Sequence, residues 1–263
     1  MNERGRKAHQ WTADKLEFIE KYIPAFVKAT KGATKRYYVD GFAGPGINEF
    51  EDGSKMRGSP LIALEQNEFT HLYFVEKDLD AFKALKQIVQ QHPNKDKATL
   101  YNADFNEILP EILVQIEERS PTVFLLDPEG LELEWRSIEA IAKREKADLF
   151  ILVSASGVLR NLENNFAYDA LTAFFGDTSW MEIDKYKKVG MDRYHAIVDL
   201  YLDKLKGLGL TVARHNITAR TSKKVKLHSL VFAAKNDVAI KIAEDVLRRL
   251  QPPPDKRGMT PLF

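Results

Sequence analysis

Along this chain, short apolar runs alternate with amphipathic stretches of helical period. Leu16, Ile19, Ile23, Phe26 and Val27 share one face of a first helix, with Thr12 as its N-cap and Pro24 as the point where it bends or stops. Runs at 36–40, 71–75, 98–103, 122–126 and 149–153 have the length and composition of buried strands. Helical patterns separate them. One spans 61–66, opened by Ser59 as N-cap with Pro60 at the first helical position. A second, capped by Asp78, carries Leu79, Phe82, Leu85, Ile88 and Val89; a third carries Ile108, Leu109, Ile112, Leu113 and Ile116; a fourth carries Trp135, Ile138 and Ile141. Strands alternating with helices in this way predict a mostly parallel sheet covered by helices on both faces.

After residue 153 the alternation stops. Residues 158–190 are rich in aromatic and polar side chains and read as an inserted helical segment, followed by an amphipathic helix with Tyr194, Ile197, Val198, Tyr201, Leu202 and Leu205 on one face. The aromatics Phe166, Tyr168, Phe174, Phe175 and Trp180 read as core rather than as a stacking platform. Runs at 210–219 and 229–235 are too close together for a crossover helix and should pair antiparallel. A last helix, capped by Asp237, carries Val238, Ile242, Val246, Leu247 and Leu250. The expectation is an α/β, Rossmann-like sheet of seven strands, mostly parallel, with a C-terminal antiparallel pair. One domain is expected over 1–251, with a helical insertion at about 158–208 and a flexible tail at 252–263.

Composition removes several chemistries. The 263 residues contain no cysteine, which excludes disulfides, thiolate-bound metals and a cysteine nucleophile, and six scattered histidines give no zinc-binding spacing, so no metal is expected. Net charge is +1, so bulk charge does not announce a polyanionic partner. Residues 1–7 are polar and basic with no apolar run behind them, and no stretch is long enough to span a membrane; a cytoplasmic protein is expected.

Candidate chemistry sits at the strand ends. The first strand runs into Asp40-Gly41-Phe42-Ala43-Gly44-Pro45-Gly46, and the next three end at Glu76, Asp104 and Asp127. In an open α/β sheet, ligands lie across the carboxyl ends of the strands, and a glycine turn lets the backbone approach them. Glu76 is placed to accept hydrogen bonds from a ribose diol, and as a carboxylate it selects free hydroxyls over phosphate. Asp104 is placed to accept from an adenine amino group, with Phe105 packing on the ring. The 30 residues between Gly46 and Glu76 exceed the roughly 20 of a dinucleotide fingerprint, and no Tyr-x-x-x-Lys pair follows, which disfavours nicotinamide chemistry.

These strand-end acids and the terminal antiparallel pair resemble a class I S-adenosylmethionine-dependent methyltransferase. Four features resemble more narrowly the TcmP family, the partners of three-Cys-motif proteins. They are His9-x-Trp11-Thr12-x-x-Lys15, the turn Asp40-x-Phe42-Ala43-Gly44-Pro45-Gly46, the element Gly58-Ser59-Pro60-Leu61, and Asp127-Pro128. The match covers about the first 155 residues. Bacterial ribosomal RNA adenine-N6 methyltransferases share the same order of parts. The resemblance implies S-adenosylmethionine as cofactor, bound by Asp40, Phe42, Ala43, Gly44, Gly46, Ser59, Pro60, Glu76, Asp104 and Phe105. It implies a reaction centre at Asp127, Pro128 and Glu129, and it allows a three-Cys-motif protein as partner. Where amino-directed enzymes carry D-P-P-Y, this chain has Asp127-Pro128-Glu129-Gly130, losing the second proline and the aromatic. Asp127 can still accept from an amine, and Glu129 can serve as a general base or bind a cation. A cytosine-C5 mechanism is excluded because its covalent step needs a cysteine.

One stretch suggests a polyanionic partner. Between 212 and 228 lie Arg214, Arg220, Lys223, Lys224 and Lys226, with His215 and His228 and no acid. A basic hairpin of this kind can neutralise several phosphates, and together with the resemblance to ribosomal RNA adenine-N6 methyltransferases it makes nucleic acid the leading acceptor, with an adenine amino group as the acceptor group that the resemblance implies. A protein or small-molecule acceptor, and a non-catalytic cofactor-binding partner protein, are the alternatives.

Overall fold

The structure, a computed structural model, describes residues 7–8, 10–50, 52–186, 192–218 and 226–250. Seven strands form the main sheet: β1 (Tyr37–Asp40), β2 (His71–Val75), β3 (Ala98–Tyr101), β4 (Thr122–Leu126), β5 (Ala147–Val153), β6 (Thr211–Thr218) and β7 (Lys226–Ala234). Their spatial order is β3-β2-β1-β4-β5-β7-β6. The first five run parallel, whereas β7 is antiparallel to both β5 and β6. This is the Rossmann-like, mostly parallel sheet with a C-terminal antiparallel hairpin that the strand pattern predicts. The order reverses between β1 and β4, where a crevice opens at the carboxyl ends of the strands.

Successive strand residues face opposite sides of the sheet, and the core divides accordingly. Val39, Tyr73, Phe124, Leu126, Leu149 and Ile151 enter one apolar cluster, which continues into α4 (Phe105–Gln115), α5 (Trp135–Ala142), α7 (Tyr168–Phe175) and α9 (Arg193–Gly207). Tyr38, Leu72, Phe74, Val123, Leu125, Phe150 and Leu152 enter the other, against α1 (Gln10–Ala29), α3 (Leu79–Gln91) and α10 (Asp237–Leu250). The inserted segment is helical, comprising α6 (Ala155–Asn161), α7, α8 (Ile183–Tyr186) and the start of α9. Of its aromatics, Phe174, Phe175 and Trp180 are buried, but Phe166 is 99% and Tyr168 43% exposed.

Local capping differs from expectation at three places. Helix α1 starts at Gln10, so Thr12 lies inside its first turn, and it continues through Pro24 to Ala29. Pro24 is exposed, so the backbone carbonyl it leaves unpaired opens to water while Ile23 and Phe26 hold the buried face. Helix α2 (Ser59–Leu64) is preceded by Gly58 as N-cap, because the Ser59 hydroxyl is turned to the Asp40 carboxylate. Asn236, not Asp237, accepts the first-turn N–H of α10, from Val238 at 2.9 Å. The polar stretch after the glycine turn is a hairpin, Ile47–Phe50 against Lys55–Arg57, with Lys7–Ala8 pairing alongside Glu49–Phe50. Its sequence signal is the Asp52-Gly53 dipeptide: Asp52 accepts from the Ser54 N–H and hydroxyl at 2.9 and 2.6 Å.

Candidate functional site

The crevice encloses about 900 Å³ and runs from the end of β3 across β2 and β1 to β4 and β5. One wall is the glycine turn. Gly44 and Gly46 have φ of +63° and +83°, a region that strongly favours glycine. A Cβ on Gly44 would meet no atom within 4 Å and would protrude into open space, whereas one on Gly46 would press on Leu85 at 3.0 Å. Phe42, Ala43, Ser59, Glu76, Asp104, Phe105, Asp127, Pro128 and Glu129 also line the crevice. Of the residues expected to hold a cofactor, Asp40 and Pro60 do not line it.

Asp40 lies behind the turn, fully buried. Its carboxylate accepts from the Tyr38 hydroxyl at 3.3 Å and the Phe42 N–H at 3.4 Å. Burial pushes its pKa up to about 7; the Asp127 charge adds to this, while the Ser59 hydrogen bond and the Lys15 ammonium oppose it. Asp40 therefore braces the turn from below. Glu76 does so from the crevice side. Its two oxygens accept from the N–H of Gly44 at 2.8 Å and of Asp78 at 2.7 Å, which fixes the carboxylate at the end of β2. Each oxygen keeps a second lone pair for an incoming hydroxyl.

Asp104 caps α4 through the Asn106 N–H at 2.8 Å and meets the Lys77 ammonium at 3.0 Å. Partial burial pushes its pKa up, but the hydrogen bonds from Lys77 and Asn106 outweigh this and hold it below the ordinary carboxylate range. Phe105 is buried with its ring 5.7 Å from that of Phe42. Sequence reasoning missed Asn106. Its buried amide bonds Asp104, the Glu132 carbonyl at 2.7 Å, the Glu134 N–H at 3.0 Å and the Ser137 hydroxyl at 2.9 Å, welding the β3 end to the loop after β4.

At the β4 end, Asp127 forms an ion pair with Lys15 of α1; the two side chains are 18% and 11% exposed. Lys15 was singled out only as part of a motif, and this contact bridges 112 positions. The parity of the strands explains it. Asp40 follows Tyr38 by two and Asp127 follows Leu125 by two, and Tyr38 and Leu125 both pack on the α1 side. Both acids thus project toward α1, which delivers one cation to them. Glu132 lines the same end and accepts from the Gly130 N–H at 2.6 Å.

The basic hairpin is mostly out of view. Arg220, Lys223 and Lys224 lie outside the described residues, as do the side chain of Lys226 and the residues His9 and 251–263. Arg214 is described, and it pairs with Asp199 at 2.6 Å. Among the described residues no group of three or more His, Asp or Glu is placed to hold a metal ion, and no helix is long and apolar enough to cross a membrane.

No family model and no curated protein matches the chain in sequence. Solved structures do match in fold. The Legionella pneumophila protein LPL1258, of family-model DUF519, superposes with a TM-score of 0.52 at 13% identity, over 91% of this chain and 91% of its own. The METTL16 MTase domain gives 0.46 at 14% identity, over 82% of this chain and 67% of its own. The plantazolicin methyltransferase BamL, solved with SAH, gives 0.47 at 6% identity, over 86% and 85%. At 13% identity the likeness to LPL1258 is one of fold alone.

Proposed function

We propose that this protein is an S-adenosylmethionine-dependent methyltransferase, with the cofactor lying over the glycine turn and the acceptor entering at Asp127. The observation that carries this reading is the crevice, where a glycine turn with open space beside Gly44 faces a fixed strand-end carboxylate, Glu76. A volume of about 900 Å³ accommodates a nucleoside with an amino-acid arm and part of an acceptor. Glu76 would hold the ribose hydroxyls, Asp104 the adenine edge, and Phe42 and Phe105 its apolar surroundings. Asp40 and Ser59 would act indirectly, by supporting the turn. When bound, the cofactor supplies a methyl group on a sulfonium, and positioning of a nucleophile beside it is the main demand on the protein.

The motif resemblance makes nucleic acid the expected acceptor and keeps membership of the TcmP family, with a three-Cys-motif protein as partner, within this proposal. A second reading, a cationic acceptor on a protein or small molecule, is favoured by the acceptor end itself. There Asp127, Glu129 and Glu132 line the crevice and Lys15 is paired with Asp127, a poor surface for phosphates.

The test is calorimetric titration with S-adenosylhomocysteine. Micromolar binding is expected, weakened at least about tenfold by Glu76→Ala, the loss of a two-oxygen contact to a diol. Wild-type protein that does not bind would overturn the cofactor reading, and unchanged affinity in the variant would remove Glu76 from the ribose.

A further inference from the structure

Asp127 is the acid expected to receive the acceptor, and it is already in use. Lys15 reaches it from α1, and both side chains are largely shielded from water. In that setting the strength of the competing donor matters. A neutral nucleobase amino group offers an ordinary hydrogen bond, whereas an ammonium offers a hydrogen bond and a full charge, roughly twice as strong. A neutral amine cannot displace Lys15 without leaving an unpaired charge behind, which is costly in a water-poor site. A second ammonium can, because the exchange conserves charge at Asp127 while the flexible lysine stem swings its head out toward water. The replacement of the D-P-P-Y proline and aromatic by Glu129 and Gly130 fits the same direction, since it removes the flat apolar partner that a base would stack on and adds a carboxylate.

We propose that Lys15 determines the acceptor class: its ammonium holds Asp127 in the place of the acceptor, and the acceptor is a protonated primary amine that displaces it. This inference rests on the cofactor reading above. In the reaction, displacement of Lys15 leaves Asp127 facing the incoming ammonium, and the Asp127 carboxylate takes a proton from it. The freed amine nitrogen attacks the sulfonium methyl, and the C–N bond forms as the C–S bond breaks with its electron pair going to sulfur. The products are a methylated ammonium, a neutral thioether and one proton on Asp127, which the crevice returns to solvent.

The test needs no acceptor. Sinefungin carries a primary ammonium where the cofactor carries its sulfonium methyl, so it presents an ammonium toward Asp127, while S-adenosylhomocysteine presents none. Calorimetry of both ligands is run on the wild type, Lys15→Met, Lys15→Gln and Lys15→Met/Asp127→Asn, each first checked by thermal melting. In the wild type the two affinities should agree within about threefold, because sinefungin's ammonium and the Lys15 head exchange at the carboxylate with charge conserved. In Lys15→Met, and in Lys15→Gln should the first variant not fold, sinefungin should gain at least about tenfold over S-adenosylhomocysteine, a ratio equivalent to about 1.4 kcal/mol. The double variant should return to parity. An unchanged ratio in the single variants, with S-adenosylhomocysteine still bound, would overturn the role of Lys15 and leave the cofactor reading standing. Failure of the wild type to bind S-adenosylhomocysteine would take down the cofactor reading and this inference with it.

Discussion

Helix α1 grips two acids of the sheet, and it grips them differently. Lys15 meets Asp127 at the crevice, and Tyr22, two turns further along the same helix face, donates its hydroxyl to Asp148 at 2.8 Å in the core. Asp127 and Asp148 belong to neighbouring strands, β4's end and β5's start, and both point to the α1 side. An ammonium supplies charge as well as a hydrogen bond, so Asp127 is met by a full charge at the edge of the crevice. A phenol supplies only the hydrogen bond. Burial dominates at Asp148 and pushes its pKa up to about 7, against the smaller downward pull of Tyr22. The same helix therefore builds an ammonium contact at the crevice and a phenol contact where burial raises the acid's pKa.

The largest effect expected from breaking this contrast is at the charged contact. Asp127→Leu strands the Lys15 ammonium among shielded neighbours and should cost ~3 kcal/mol of unfolding free energy in urea. Lys15→Met/Asp127→Leu should recover most of that loss. Equal destabilisation in the single and double variants would show that the pair is not an electrostatic unit.

The neutral contact should reveal itself through pH. Because the folded-state pKa of Asp148 lies above its unfolded value, the native state holds a proton that the unfolded state has released. Stability from this group is full below about pH 4 and is lost as pH rises toward 7. Asp148→Asn should flatten that decline and melt at least about 3 °C higher than wild type at pH 8, while gaining little at pH 5. Part of the slope should survive, since Asp40, raised likewise to about 7, contributes in the same direction. A steeper decline in the variant would mean that Asp148 is ionised in the native protein. The smallest effect belongs to Tyr22→Phe, about 1 kcal/mol for one neutral hydrogen bond, with the pH decline displaced upward. A loss as large as that of Asp127→Leu would erase the distinction between the two contacts.

Much of this was legible in the chain. Strands 71–75 and 122–126 match the observed β2 and β4 residue for residue, and the glycine turn and the acids Glu76, Asp104 and Asp127 come together at one crevice. These features follow from local rules: period-two burial fixes the strands, and strand ends bring their following residues to one edge of the sheet. Caps were less legible. Ser59 has every local qualification to cap α2, but a buried carboxylate across the turn competes for its hydroxyl more strongly than a backbone N–H does. The hairpin at Asp52-Gly53 carries a turn signal, but its polar flanks lack the apolar alternation that marks strands.

The sequence by itself determined the sheet, its direction changes and the residue types offered at its edge, because these depend on periodicity and on neighbours a few positions apart. Which acid meets which partner was decided only by tertiary packing. Nothing local distinguishes Asp40, held under the turn, from Asp127, held by Lys15 across 112 positions. Their fates separate because α1 lies along one face of the sheet and carries a single ammonium to the crevice, and only one of two adjacent carboxylates stands close enough to be paired with it.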